Sequence, residues 1–94
     1  MDIEFVGSSD WEEQVLNARR PVLVEFWSPT CAVCMTMQPR LQRVIEDYVD
    51  KADFFRVDVT ENEDLVWAYE VMSTPTFRLR SLLVVRLTTI ILFL

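Results

Sequence analysis

The six residues Val22-Leu-Val-Glu-Phe-Trp27 constrain this chain more than any other stretch. They are nearly continuous in apolar side chains, rich in β-formers, and bounded by Pro21 before and Ser28-Pro-Thr after. That pattern fits a strand covered on both faces, as in a parallel sheet. Glu25 interrupts it. An unpaired carboxylate is costly to bury, so between Val24 and Phe26 it either has a partner or faces solvent.

The rest of the chain is legible around that strand. Ile3 to Val6 alternates weakly and reads as a short strand. Ser9 followed by Glu12 fits a capping box, and Trp11, Val15 and Ala18 fall at helical spacing, so residues 10–19 are expected to be helical, with Arg19 and Arg20 suiting its C-terminal end. After the Ser28-Pro-Thr turn a helix is expected from Cys31 to Val49, with Leu41, Val44, Ile45 and Tyr48 on one stripe and a kink at Pro39. Phe54 to Val59 reads as a strand. Thr60 or Asn62 is placed to cap a third helix whose inner side is Leu65, Val66, Ala68 and Tyr69. Ser73-Thr-Pro75 breaks the chain, and Thr76 to Arg80 alternates like a half-exposed strand. Strands and helices in alternation predict an α/β sheet with helices on both faces.

Composition narrows the chemistry. A chain of 94 residues, 51% hydrophobic, suits one domain: residues 1–80 as the body and 81–94 as an atypical apolar segment of the same domain. Residues 1–76 carry all 15 acids against six basic residues, a net −9, which argues against nucleic acid as a partner. Histidine is absent, which removes the commonest zinc ligand and the usual partner of a nucleophilic Ser or Cys. The acidic start, Met1-Asp-Ile-Glu, does not read as a secretory leader, so the expected location is cytoplasmic. No apolar run reaches the ~20 residues of a membrane span, and no membrane partner is expected.

The two cysteines, Cys31 and Cys34, stand where the turn enters the long helix. In a reducing compartment, a Cys-x-x-Cys is more often redox-active or metal-binding than a structural bridge. A thiolate at a helix N-terminus is favoured by the unpaired N–H groups and the dipole there, and i, i+3 spacing brings the two Cα atoms to roughly 5–5.5 Å, within disulfide range. Cys31 would attack a substrate disulfide and Cys34 would resolve the mixed disulfide. Half a zinc site, completed by a second copy, and two inert core thiols are the other readings. No cofactor or metal is expected on the first.

Val22-Leu-Val-Glu-Phe-Trp-Ser-Pro-Thr-Cys-Ala-Val-Cys34 with Pro39 beyond it, Phe55-Arg-Val-Asp-Val-Thr-Glu-Asn62, and Ala68-Tyr-Glu-Val-Met-Ser-Thr-Pro-Thr-Phe77 together resemble the thioredoxin family, in the same order and over about residues 3–80. The resemblance implies a three-layer α/β/α fold with a central mixed sheet of four or five strands, and a dithiol that reduces or exchanges protein disulfides and is recycled by a reductase. It matches Cys31 to the nucleophile, Cys34 to the resolving cysteine, and Pro75 to a cis-proline facing them, with the Thr74 backbone available to a substrate peptide. Glu25 matches the family's buried acid, usually Asp, which exchanges a proton with the resolving thiol. Arg56 matches a position where lysine is frequent, and a guanidinium keeps its charge when buried. Trp27 matches a tryptophan packed under the active-site loop. Ala32-Val33 replaces the usual Gly-Pro pair, on which redox poise depends, and Thr30 replaces the usual Trp, which bears on substrate preference. Met35, Met37 and Met72 suit either adaptable contacts near the groove or ordinary filling.

After Phe77 the family has a Gly-containing hairpin, a further strand and a C-terminal helix. Here Ser81 to Leu94 has no turn residue and no clean period, so that helix is expected to be missing or replaced. Two further readings attach to it: an interaction module that forms a homodimer through residues 81–94, and a shifted reading frame near Arg78.

Overall fold

The computed structural model describes residues 3–80. The readings made on residues 81–94, namely the replaced helix and the dimer segment, lie outside the described residues. The strands are β1 (Glu4–Phe5), β2 (Val22–Trp27), β3 (Asp53–Asp58) and β4 (Thr76–Arg80), and the α-helices are α1 (Ala32–Tyr48) and α2 (Glu63–Ala68). The sheet order is β1-β3-β2-β4, with β3 parallel to both β1 and β2 and β4 antiparallel to β2. The fold is thus the thioredoxin-like α/β arrangement with a mixed sheet, four-stranded among the described residues.

Strand alternation divides β2 between two cores. Val22, Val24 and Phe26 are buried with Phe55 and Val57 of β3 against Trp11, Val15 and Leu65. Trp11 donates its indole N–H to the Tyr69 hydroxyl at 3.0 Å, so the polar ends of both rings are satisfied inside an otherwise apolar cluster. On the opposite face, Leu23, Glu25 and Phe77 meet Leu41 and Ile45 of α1. Helices therefore cover both faces, as the run of β2 requires. No helix of the described residues is long and apolar enough to cross a membrane.

Several local expectations are corrected. The first helical segment is a short π-helix, Glu12–Leu16, closed by Asn17 N–H donating to the Glu12 carbonyl at 2.9 Å. Ser9 makes no cap bond there; Trp11 holds the N-cap position without a side-chain hydrogen bond. Arg19 and Arg20 lie past its end, and Arg20 instead donates to the Val49 and Ala52 carbonyls at 2.8 and 2.6 Å, closing the end of α1. On α1 the buried positions are Cys34, Leu41 and Ile45, whereas Val44 and Tyr48 are exposed. α2 buries Leu65, but Ala68 is exposed. Asn62 stands at its N-cap with no side-chain bond to the first turn, because that side chain accepts from Ser8 N–H at 3.0 Å and donates to the Asp58 carbonyl at 2.9 Å. That link needs Gly7, where a Cβ would sit 2.6 Å from Asn62 Oδ1.

α2 ends in a Schellman motif: Glu70 N–H donates to the Trp67 carbonyl and Val71 N–H to the Val66 carbonyl. The left-handed residue is Glu70, with φ 52°, where glycine is ordinarily found. A Cβ in that conformation costs roughly 1–2 kcal/mol. Glu70→Gly is therefore expected to raise stability by about 1 kcal/mol in urea denaturation; a variant no more stable than the parent would show that the side chain compensates.

Candidate active site

Three segments converge on the C-terminal end of β2. Trp27 ends the strand, and Val59 N–H donates to its carbonyl at 2.9 Å. Ser28 then folds the loop: its hydroxyl oxygen accepts from Thr30 N–H at 3.2 Å, and its carbonyl accepts from Cys31 N–H at 3.1 Å. β4 arrives beside the same end, because Phe26 pairs with Thr76. The peptide bond Thr74–Pro75, one residue before, is cis, as the resemblance implies.

Cys31 is the N-cap residue of α1, with extended backbone, and Cys34 lies in its first turn. The two are joined as a disulfide, with Cα atoms 5.2 Å apart. Cys34 N–H donates to Cys31 Sγ at 3.1 Å, so one of the helix's unpaired N–H groups is already directed at that sulfur. The two sulfurs are not equivalent. Cys31 is partly exposed, whereas Cys34 is buried at 1%. Thr30, Ala32 and Val33 form an exposed rim around Cys31, and Thr74 and Pro75 are half-buried. Among the described residues no group of three or more Cys, Asp or Glu side chains is placed to hold a metal, so the two cysteines have no further ligands there.

Beneath this rim, on the α1 side of the sheet, lies an ion pair. Glu25 and Arg56 are register partners across β2 and β3, and both are buried, at 2% and 8%. Arg56 Nε donates to Glu25 Oε1 at 2.8 Å, and Nη2 lies 2.7 Å from the same oxygen. Nη2 also donates to Gln38 Oε1 at 2.5 Å. The guanidinium carbon lies 5.3 Å from the Trp27 ring and 6.0 Å from the Phe5 ring, which themselves meet edge to face at 5.5 Å. Trp27 thus packs sideways on Arg56 and Phe5. Glu25 Oε2 is buried without a hydrogen-bond partner. Pro39 is an exposed position inside α1.

Sequence reasoning singled out Glu25 and Arg56 but missed Gln38. The signal was present: Gln38 falls four residues after Cys34 and three before Leu41, on the stripe of α1 that meets the sheet, where an apolar residue is the ordinary choice.

The thioredoxin family model matches residues 2–82. Thioredoxin of Griffithsia pacifica is 34% identical over 76 residues, covering 81% of this chain and 70% of that protein. Thioredoxin C-2 of Corynebacterium nephridii is 35% identical over 77 residues, covering 80% and 71%. The chloroplastic Thioredoxin M2 of Arabidopsis thaliana is 35% identical over 75 residues, covering 80% of this chain but only 40% of its own length. The chain thus spans well under half the length of that chloroplastic relative.

Breaking the ion pair from one side leaves a buried charge without compensation. Arg56→Met is expected to cost about 3–5 kcal/mol in chemical denaturation. Adding Glu25→Leu to it should recover most of that loss, since a well-packed apolar pair of similar volume is often neutral or better. Additive costs in the double variant would mean that the two side chains do not interact.

Proposed function

The chain belongs to the thioredoxin family, and from that membership we propose that it is a protein-disulfide reductase, cycling Cys31 and Cys34 between dithiol and disulfide. The observation that carries this reading is the inequality of the two sulfurs. Cys31 is accessible at the N-cap of a 17-residue helix, and Cys34 is buried behind it.

In the reduced protein, the Cys31 thiolate attacks one sulfur of a substrate disulfide. A Cys31–substrate bond forms, the substrate S–S bond breaks, and one substrate sulfur leaves as a thiolate. Cys34 then loses its proton and attacks Cys31 Sγ. The Cys31–Cys34 bond forms, the mixed disulfide breaks, and the second substrate sulfur leaves. Two electrons pass from the dithiol to the substrate, and a reductase must return them. The N–H of Cys34, already directed at Cys31 Sγ, makes a stronger, charge-assisted bond to a thiolate than to a neutral sulfur. Glu25, buried on the face that α1 covers, serves as acceptor for the Cys34 proton. The exposed Thr30, Ala32 and Val33, with Trp27 behind them, form one wall of the substrate groove, and Thr74 and Pro75 the other. An extended substrate peptide pairs along the Thr74 backbone. A dithiol that donates electrons requires a compartment whose own thiol pool is reduced, which favours the cytoplasm.

Two outcomes are expected. Cys31→Ser abolishes reduction of insulin disulfides by the protein with dithiothreitol as electron source; retention of the parent rate would end this reading. In the reduced protein, alkylation of Cys31 rises with pH about a midpoint below the ~8.5 of a free thiol. A midpoint at or above that value would point to an inert cysteine.

A further inference from the structure

We infer that Gln38 is a positioning residue for the second half of the exchange: by taking Arg56 Nη2, its side-chain oxygen restricts the guanidinium to one oxygen of Glu25 and leaves the other free for the Cys34 proton. The inference rests on the dithiol exchange proposed above and adds a residue and a role to it.

A guanidinium beside a carboxylate ordinarily engages both oxygens through two parallel N–H bonds. Arg56 does not. Its Nε and Nη2 both converge on Glu25 Oε1, and Nη2 is shared with Gln38 Oε1 at 2.5 Å. Trp27 and Phe5 lie beside the guanidinium and add to what fixes its position. Glu25 Oε2 is consequently left buried and unpartnered. A carboxylate oxygen in that state is costly, and it has an acceptor's full capacity for a proton donor that arrives during turnover.

Cys34 is placed to be that donor. Cys34, Gln38, Leu41 and Ile45 follow one another at helical i, i+4, i+7 and i+11 spacing, and Cys34, Leu41 and Ile45 are the buried residues of α1. Leu41 and Ile45 line the same cavity as Glu25, with Phe77 of β4. Its volume of about 10 Å³ leaves room for no more than one water. The groups facing Glu25 are thus Arg56 from β3, apolar Phe77 from β4 and the α1 stripe. Arg56 is the one ion-pair partner of Glu25 among the described residues. When the disulfide opens, Cys34 becomes a thiol with a proton to lose before it can attack Cys31 Sγ. Oε2 takes that proton directly or through one water, and Oε1 stays with Arg56.

Without the Gln38 oxygen, Nη2 is released to pair with Oε2, and the acceptor is lost although the ion pair survives. The test is reaction of the reduced protein with 5,5′-dithiobis(2-nitrobenzoate) in a stopped-flow instrument. Attack by Cys31 releases one thionitrobenzoate in a phase that depends on reagent concentration. Resolution by Cys34 releases the second in a phase that does not. In Gln38→Met the first phase is expected to match the parent, and the second to be on the order of tenfold slower at pH 7. That gap should close at alkaline pH, where hydroxide removes the proton instead. Gln38→Glu, which keeps an oxygen for Nη2, should restore the second phase. Gln38→Ala also lacks the acceptor and carries the same test if methionine does not pack. A second phase equal to the parent at every pH, slowed by one factor at every pH, or not restored by a folded Gln38→Glu variant, overturns the role of Gln38. Absence of a second phase in the parent protein would instead overturn the dithiol exchange itself.

Discussion

Two-sided pairing of β2 is the constraint on which the other parts depend. The strand is held by β3 along one edge, from Val22–Asp53 to Trp27–Asp58, and by β4 along the other, from Val22–Arg80 to Phe26–Thr76. Because side chains alternate, that register decides at once which residues meet which layer. Val22, Val24 and Phe26 enter one core, while Glu25 shares its face with Arg56 and Phe77. A slip of one residue against β3 would turn Glu25 away from Arg56 and push a charge into the Trp11 and Val15 cluster. A slip against β4 would move Pro75 along the end of β2 from which the Cys31 loop departs. The register that forms the cores therefore also assembles the site, and neither can be changed alone.

The Glu25–Arg56 pair is a less economical feature. Taking two charges out of water costs several kcal/mol per ion before their attraction is counted, and apolar residues in the same space often do as well. The pair here is incompletely satisfied, since Oε2 has no partner. A structural role alone would favour closing that oxygen into a bidentate contact. Under the exchange proposed above, an open oxygen is what a carboxylate that accepts the Cys34 proton needs, and Glu25 lies on the sheet face that Leu41 and Ile45 of α1 cover. On that reading, the stability lost at this position is offset by a group that can change its hydrogen bonding during turnover.

Much of this was legible in the sequence, for particular reasons. The nearly continuous apolar run Val22–Trp27 fitted a strand covered on both faces, and of the two readings of Glu25 the structure bears out the one with a partner, which the parallel register supplies as Arg56. Cys31 and Cys34 were placed by the Ser28-Pro-Thr turn, and the family resemblance added the cis peptide at Pro75. The failures are local. Ser9 and Glu12 carry the letters of a capping box, but the segment closes as a π-helix, and the expected C-terminal arginine, Arg20, bonds α1 instead. Val44 lies one position off the buried stripe, and Tyr48 and Ala68 are the last residues of α1 and α2, because a helical pattern of apolar residues leaves the exact facing angle and the end of the covering layer to tertiary packing. Gln38 stood out only as a polar residue on the apolar stripe of α1, and its meaning lies in a contact with Arg56, 18 residues away in sequence.

Under the proposed exchange, one local geometry at the two cysteines serves both redox states. In the disulfide, Cys31 Sγ already accepts the Cys34 N–H at 3.1 Å. Opening the bond leaves that donor in place and puts a negative charge on the sulfur it addresses, so the same contact becomes charge-assisted and stronger. The helix N-terminus adds its dipole in the same direction. In the proposed exchange, both effects favour an ionised Cys31 once the bond is open. Cys34, by contrast, is buried, and a substrate disulfide reaches it less readily than it reaches Cys31. In the proposed exchange, the difference in accessibility between the two sulfurs gives the order: Cys31 first, Cys34 second.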